Sequence, residues 1–313
     1  MNSKDCVDIF ICSYHRPHNV KTMKYLCGLG YPSDKIHVFV DSATDDIAEY
    51  EEEVVGKYKC NLHVFDMDEA RARYDYVHRA SESRRSAGQA RNMFMDWATA
   101  NGIDFYMVCD DDTSSFQIRP FGKYYKQANI DDIVDTFMAV RDMMKKRKVG
   151  LFGLSQTGDI YSHEHDTHLF RRKVMNTTFV LLPYVYRGER GVQDDDTSLF
   201  TGVMNEGLFT GSLYSGLVLR QTLSATQSGG LTDLYQECKL LNKAMVTPLQ
   251  FPSAIFAERQ IMNGARIHHH VRYDNLFPKI IKGSPGHNNI EWDTYAEDIP
   301  FTNEPKRSFT LNR

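Results

Sequence analysis

Phe105-Tyr106-Met107-Val108-Cys109-Asp110-Asp111-Asp112 is the stretch on which the reading of this chain turns. Five apolar residues in a row describe a strand buried on both faces of a parallel sheet. The strand runs straight into three carboxylates. They repel one another, and a structural role alone rarely gathers them at the mouth of a buried strand. Hard divalent cations such as Mg²⁺ or Mn²⁺ take oxygen ligands and accept few from protein. In extended chain Asp110 and Asp112 lie on one side, near enough to hold one ion and a diphosphate. The plainer alternative is an acidic turn whose aspartates cap a helix.

Upstream, Ser86 and Gln89 form a capping box. Ala90, Met93, Phe94, Trp97 and Ala98 recur at helical spacing until Gly102 closes the helix. A helix N-terminus favours an anion, Gly88 lets backbone come close, and Arg91 can pair a phosphate or face solvent. Residues 66–85 read as an irregular charged loop carrying Arg71, Arg73, Arg79, Arg84 and Arg85. Earlier still, Val7–Ser13 reads as a buried strand, Tyr14–Pro17 as a loop and Asn19–Leu29 as a helix stopped by Gly30 and Pro32. Ile36–Asp41 is a second strand ending in a carboxylate, and Asn61–Phe65 a third. The order β-α-β-β-α-β predicts an α/β fold: an open, mostly parallel central sheet flanked by helices. Ligands of such sheets bind at the carboxyl ends of the strands, where the loops after Ser13, Asp41 and Asp110 emerge.

Downstream, Ile130–Lys148 reads as an amphipathic helix. Its acidic start (Asp131, Asp132) and basic end (Lys145, Lys146, Arg147, Lys148) match the helix dipole. Val149–Leu154 and Thr178–Leu182 read as strands around a polar segment with His163, His165, His168, Arg171, Arg172 and Lys173. Gly188 and Gly191 precede Gln193-Asp194-Asp195-Asp196-Thr197-Ser198-Leu199, which is either an acidic first turn or a helix start offering a general base, Asp195 or Asp196. His268-His269-His270 is internal. In extended chain alternate residues share a side, so His268 or His270 is a candidate metal ligand, with the neighbour pointing away. After Tyr273 the chain is rich in Pro, Gly and Asn and reads as a surface wrap.

Composition excludes several classes. The 313 residues are 42% hydrophobic and 25% charged, ordinary for a folded globular chain. No run approaches 18 apolar residues, and Met1–Asp5 does not start a signal peptide, so no membrane partner is expected. A net charge of −4 argues against a general basic coating for nucleic acid, though not against a local groove. None of the six cysteines forms a C-x-x-C pair, which removes zinc-ribbon and thioredoxin readings. Cys12 and Cys109 look like small buried hydrophobes. The expected compartment is the reducing cytoplasm.

In this order the pieces resemble family-2-like glycosyltransferases of the GT-A fold. Ser13-Tyr14-His15-Arg16-Pro17 is similar to the family's first loop, and Asp41 stands where the family's second strand ends in an Asp that reads uracil. Gly88-Gln89-Ala90-Arg91-Asn92 is similar to its Gly-x-Ala-x-Asn element, Asp110-Asp111-Asp112 to its Asp-x-Asp metal motif, and Asp195-Asp196-Thr197 to its Glu-Asp base pair. Here the first acid is Asp, which leaves the base between Asp195 and Asp196. The resemblance covers roughly residues 5–205. It implies a UDP-sugar donor held by Ser13, Tyr14, Arg16, Asp41, Gly88, Arg91, Asp110 and Asp111. It also implies Mn²⁺ or Mg²⁺ on Asp110 and Asp112, completed by one of His268 to His270. One domain, 1–313, would divide into a nucleotide-sugar half (1–112), an acceptor and catalytic half (113–270) and a C-terminal wrap (271–313). More narrowly, the spacing and the Arg-rich 71–91 segment resemble the TET-associated glycosyltransferases, relatives of the base J glucosyltransferase. That family implies glucose transfer from UDP-glucose to 5-hydroxymethylcytosine or 5-hydroxymethyluracil in DNA, often in phages. A groove of Arg71, Arg73, Arg79, Arg84, Arg85, Arg171, Arg172 and Lys173 would meet the DNA.

Three alternatives stand beside this reading. The acceptor could be a protein or a glycan. A haloacid-dehalogenase-like phosphotransferase uses Asp-x-Asp-x-Thr after a strand, but here Ser114 holds the Thr place and no later Gly-Asp signature is present. A non-catalytic nucleotide- or nucleic-acid-binding module would keep the acids for structure.

Overall fold

The computed structural model describes residues 6–43, 46–75, 87–118, 128–129, 132–156, 168–170, 173–175, 177–185, 194–206, 208–221, 243–261, 266–276, 299–301 and 307–309. The first half is built from β1 (Asp8–Cys12), α1 (Lys21–Gly28), β2 (Ile36–Asp41), α2 (Ile47–Tyr50), β3 (Asn61–Phe65), α3 (Met67–Arg73), α4 (Ala87–Ala100) and β4 (Phe105–Asp110). The second half adds β5 (Thr113–Ile118), β6 (Ala128–Asn129), α5 (Ile133–Arg147), β7 (Val149–Gln156), β8 (His168–Phe170), β9 (Thr178–Leu181), α6 (Asp195–Asn205) and β10 (Phe209–Gln221). Two hairpins follow, β11 (Ile255–Gln260) with β12 (Arg266–Val271), and β13 (Ile299–Phe301) with β14 (Arg307–Phe309).

Among the described residues, one ten-stranded sheet joins both halves in the order β3-β2-β1-β4-β9-β7-β10-β5-β6, with β8 on β10. Following the pairings, seven of the ten strands point one way, and β5, β8 and β9 run against them. This is the open, mostly parallel sheet expected from the sequence. The register sets Cys12 beside both Phe39 and Asp110, so β1 and β4 end level and β2 runs two residues further at the same edge. Ser13, Asp41 and Asp110 therefore share one edge.

The core lies between this sheet and its helices. Phe10, wholly buried, stacks on Tyr106 (4.5 Å) and meets Phe94 and Trp97 of α4 edge-on (5.8 and 5.5 Å). Full burial of such a ring contributes about 1.5–3 kcal/mol, so these contacts fix α4 across β1 and β4.

Several local expectations change. Residues 66–85 are not irregular throughout: Asp66 accepts from the Asp68 amide (2.7 Å) and starts α3, whose acidic first turn and basic last turn suit the dipole. No helix was expected at 47–57, yet α2 continues into a π-helical stretch, Glu51–Lys57. The acidic turn after β4 leads into strand β5, not into a helix that it would cap. Thr178–Leu181 runs antiparallel to β4. The helix expected at Ile130 starts at Ile133, because Asp132 caps it through the Asp135 amide (3.0 Å). Ser86, Arg79, Arg84, Arg85, His163, His165, Arg171, Arg172 and most of the expected surface wrap lie outside the described residues.

Candidate active site

The acidic turn is held from beneath by one threonine. Thr22, wholly buried in the first turn of α1, donates its hydroxyl to the Asp110 carbonyl and accepts from the Thr113 amide (3.0 Å). Its own amide donates to the Asp111 carbonyl (3.2 Å). The middle aspartate points inward. Asp111 accepts from Arg16 Nη1 (2.8 Å) and from Ser13 Oγ (2.8 Å). Since Ser13 donates to Asp111, Tyr50 donates to Ser13 Oγ (2.8 Å), and Tyr50 Oη in turn accepts from the Arg16 amide (2.9 Å). The Asp111 carboxyl sits at about 6: burial pushes it up and the Arg16 guanidinium pulls it back. Asp111, Ser13 and Arg16 thus spend these groups on shaping the loop after β1. Tyr14 stays partly exposed on that loop, its ring edge-on to His15 (4.0 Å). His15 is in the left-handed region (φ 52°), where the chain turns sharply.

Asp41 is buried at the end of β2. One of its oxygens accepts from the Ala43 and Met67 amides (3.3 Å each), tying the loop to the start of α3.

Asp110 ends β4 and is partly exposed. Arg91, buried in α4, donates to Asp110 Oδ1 (3.0 Å) and, through its other terminal nitrogen, to Asp195 Oδ2 at the start of α6. The two acidic loops, about eighty residues apart in sequence, meet on one guanidinium. Burial pushes the Asp195 carboxyl up to about 6 against the pull of Arg91. It also raises Asp196, which stays partly exposed. Gly88 is buried in the first turn of α4, one helical turn before Arg91.

A second cluster adjoins α6. Asp194 adopts φ 54° ahead of the helix and pairs with His269 Nδ1 (3.1 Å) and Lys243 Nζ (3.3 Å). Burial raises its carboxyl, but these two partners outweigh burial and hold it below the ordinary value. Of the three histidines it is His269 that pairs with one of these acids. Alternation along β12 sends His270 to Glu258 (3.3 Å) and over Phe256. His268 is held down to about 4, by burial first and then by His269, Arg266 and His270 beside it. The pairing of His269 and Lys243 with Asp194 left no mark in the sequence, and neither did Thr22 or Tyr50.

The donor set fits a hard divalent cation. Four of these aspartates, Asp110, Asp111, Asp194 and Asp195, pair with Arg16, Arg91 and Lys243. The donors that the acidic turn offers are all oxygen. Among the described residues no group of three His, Cys, Asp or Glu converges on one point. Such an ion would therefore complete its shell with water and phosphate, as Mg²⁺ commonly does.

A family model of the TET-associated glycosyltransferases matches residues 7–230, which takes in every one of these acids. The chain belongs to the TET-associated glycosyltransferase family. Membership places it among the glycosyltransferases, and its sheet is the open, mostly parallel one expected from the sequence. No curated protein matches. Among solved structures, the mannosyltransferase PcManGT from Pyrobaculum calidifontis, in complex with GDP-Man and Mn²⁺, is 12% identical with a TM-score of 0.47, over 79% of this chain and 63% of that one. Mannosyl-3-phosphoglycerate synthase from Rubrobacter xylanophilus is 11% identical (TM-score 0.42; 86% and 89%). S. aureus TarS 1–349 is also 11% identical (0.39; 67% and 59%). The chain spans less than two thirds of the PcManGT and TarS chains. A likeness this distant says nothing about substrate. No helix among the described residues is long and apolar enough to cross a membrane.

Proposed function

We propose that this protein transfers a hexose, glucose from UDP-glucose, to the hydroxyl of a hydroxymethylated pyrimidine in DNA, with inversion, in the cytoplasm. The observation that supports the reading is the Arg91 bridge, which joins the strand-end acid Asp110 to the helix-start acid Asp195, the chain neighbour of Asp196. Family membership supports the transferase chemistry and the modified-base acceptor.

Residues 1–112 form the donor half on this reading and 113–270 the acceptor half. The loop Ser13–Arg16, set in advance by Asp111 and Tyr50, offers Tyr14 and its backbone to the uridine, and Asp41 borders the base. Asp110 and Asp112 are the residues that would hold Mn²⁺ or Mg²⁺. When bound, the metal supplies Lewis-acid neutralisation of the departing diphosphate. Arg91 occupies Asp195, so the partly exposed Asp196 is the group left to take the acceptor proton. A single displacement by that hydroxyl inverts the anomeric carbon. Arg71, Arg79, Arg84, Arg85, Arg171, Arg172 and Lys173 supply the basic contacts to DNA. Arg73 is the exception, since it already pairs with Glu69 and Asp96 (2.7 Å each).

The test incubates the protein with Mn²⁺, a panel of nucleotide sugars, and DNA containing 5-hydroxymethylcytosine or 5-hydroxymethyluracil, then weighs the released nucleosides. One added hexose is expected, with UDP-glucose the best donor. Sugar-nucleotide consumption that labels only protein or glycan acceptors would move the acceptor. Turnover of a simple phosphate ester with no sugar-nucleotide consumption would replace the reading with phosphoryl transfer.

A further inference from the structure

Away from the acids, two thiols touch. Cys27 Sγ, near the end of α1, lies 3.6 Å from Cys60 Sγ, one residue ahead of β3. We propose that Cys27 and Cys60 are an oxidative modification site, a dithiol that closes to an intramolecular disulfide when exposed to a low-molecular-weight disulfide such as oxidised glutathione.

Three features position the pair. Lys59 adopts φ 60°, a left-handed turn that swings the chain back just before Cys60, and the Cys60 amide donates to the Val54 carbonyl (2.9 Å). Lys24, one turn before Cys27, pairs with Glu53 (2.8 Å) and sits over the Tyr58 ring (5.8 Å). The backbones carrying the two sulfurs are therefore clamped together independently of the thiols. Closing the gap to the bond length of about 2.05 Å needs rotation of two side chains, not movement of an element.

The two thiols also divide the labour. Cys27 is half-buried and within reach of a small reagent, while Cys60 is buried. The hydrogen bond from Cys60 lowers the Cys27 thiol below its ordinary value, against the effect of burial. Cys27 is thus the attacking thiolate and Cys60 the resolving thiol. Cys27 sulfur attacks oxidised glutathione, its S–S bond breaks, and one glutathione thiolate leaves. Cys60, losing its proton, then attacks the Cys27 sulfur of the mixed disulfide and expels the second glutathione. Two protein thiols are oxidised by two electrons, and one glutathione disulfide is reduced to two thiols. Cys12 and Cys109 differ: burial pushes Cys12 up to about 12 and Cys109 well above its ordinary value, which leaves them inert.

The link would close a loop of about thirty residues and fasten the C-terminal end of α1. The other end of that helix carries Thr22, which holds the acidic turn. Oxidation thus stiffens the support of Asp110 and Asp112 from behind.

The test equilibrates the whole protein in glutathione buffers from fully reduced to fully oxidised, alkylates the remaining thiols, and maps the peptides. The expected product is a Cys27–Cys60 linked peptide with two fewer free thiols, a Tm higher by roughly 5 °C, and slower exchange of the Thr113 amide. Cys60→Ser should stop at glutathione on Cys27, and Cys27→Ser should leave Cys60 unmodified. Full alkylation of both residues after the most oxidising buffer, or a link joining other cysteines, would overturn the proposal. Neither result bears on sugar transfer, so the two readings stand or fall separately.

Discussion

Asp111 and Asp196 show how unlike neighbouring acids become once each has a place. Asp111 forms a buried ion pair with Arg16, both side chains less than a tenth exposed. Such a pair adds little over an apolar replacement, but removing one member strands the other. Asp111→Ala should therefore cost about 3–5 kcal/mol in urea unfolding, from the desolvated guanidinium of Arg16 left behind. Asp196 should behave in the opposite way. Asp196→Asn should lower kcat by roughly 10²–10⁴ while UDP-sugar affinity and Tm stay close to wild type. Burial raises its carboxyl, and a base must be unprotonated. The acid limb of kcat/KM should therefore fall at a higher pH than an ordinary aspartate gives. A third residue tests the far side of the sheet. His63 contacts His37 Nδ1 (2.9 Å), whose other nitrogen meets Asp8 (3.1 Å), which Lys35 also pairs. Burial first, and then His37, lower His63 from 6.5 to about 4. Above 6.5 it is neutral whether folded or not. Between 6.5 and 4 the unfolded chain takes up a proton that the fold refuses, so stability drops as pH falls through that window. His63→Gln should flatten the Tm profile there.

At the scale of the element, β7 depends on two glycines. A Cβ on Gly150 would run into the Tyr184 carbonyl, which is backbone and cannot move aside. One on Gly153 would meet Val174 Cγ1 at 2.7 Å. Overpacking of this kind costs about 1–3 kcal/mol. Gly150→Ala should lie at the upper end and Gly153→Ala below it, read from urea midpoints. Helix ends were the most legible feature in the sequence. The dipole pattern of α5 and the Gly102 stop of α4 (φ 69°) both follow from local chemistry. The stretch 47–57 was not legible. Its Glu51-Glu52-Glu53 run suggests a solvated segment, yet Glu53 is buried, with Lys24 and Lys57 paired to it and His18 close by, the first of them on another helix.

At the scale of the whole molecule, donor binding is a linkage problem. A metal and nucleotide sugar that bind only the folded chain raise Tm in proportion to the logarithm of ligand concentration. At a hundredfold excess over Kd, Mn²⁺ with UDP-glucose should stabilise by about 2.7 kcal/mol, and chelation should abolish the shift. The parallel strands β1, β2 and β4 were readable because strands buried on both faces are nearly continuous apolar runs. The thirteen-residue β10 was not, since its residues meet β5, β7 and β8 along different parts of their length.

The sequence by itself determined the α/β class, the edge from which the chemistry-bearing loops emerge, and the order of acidic motifs along it. These rest on local patterns: apolar runs, turns, caps and the spacing of carboxylates. Tertiary structure alone decided which acids meet. It gave Asp111 to Arg16, Asp195 to Arg91 and Asp194 to His269, and it left Asp196 partly exposed. Charge pairing across a hundred residues depends on distances of a few ångströms, and no one-dimensional pattern carries those.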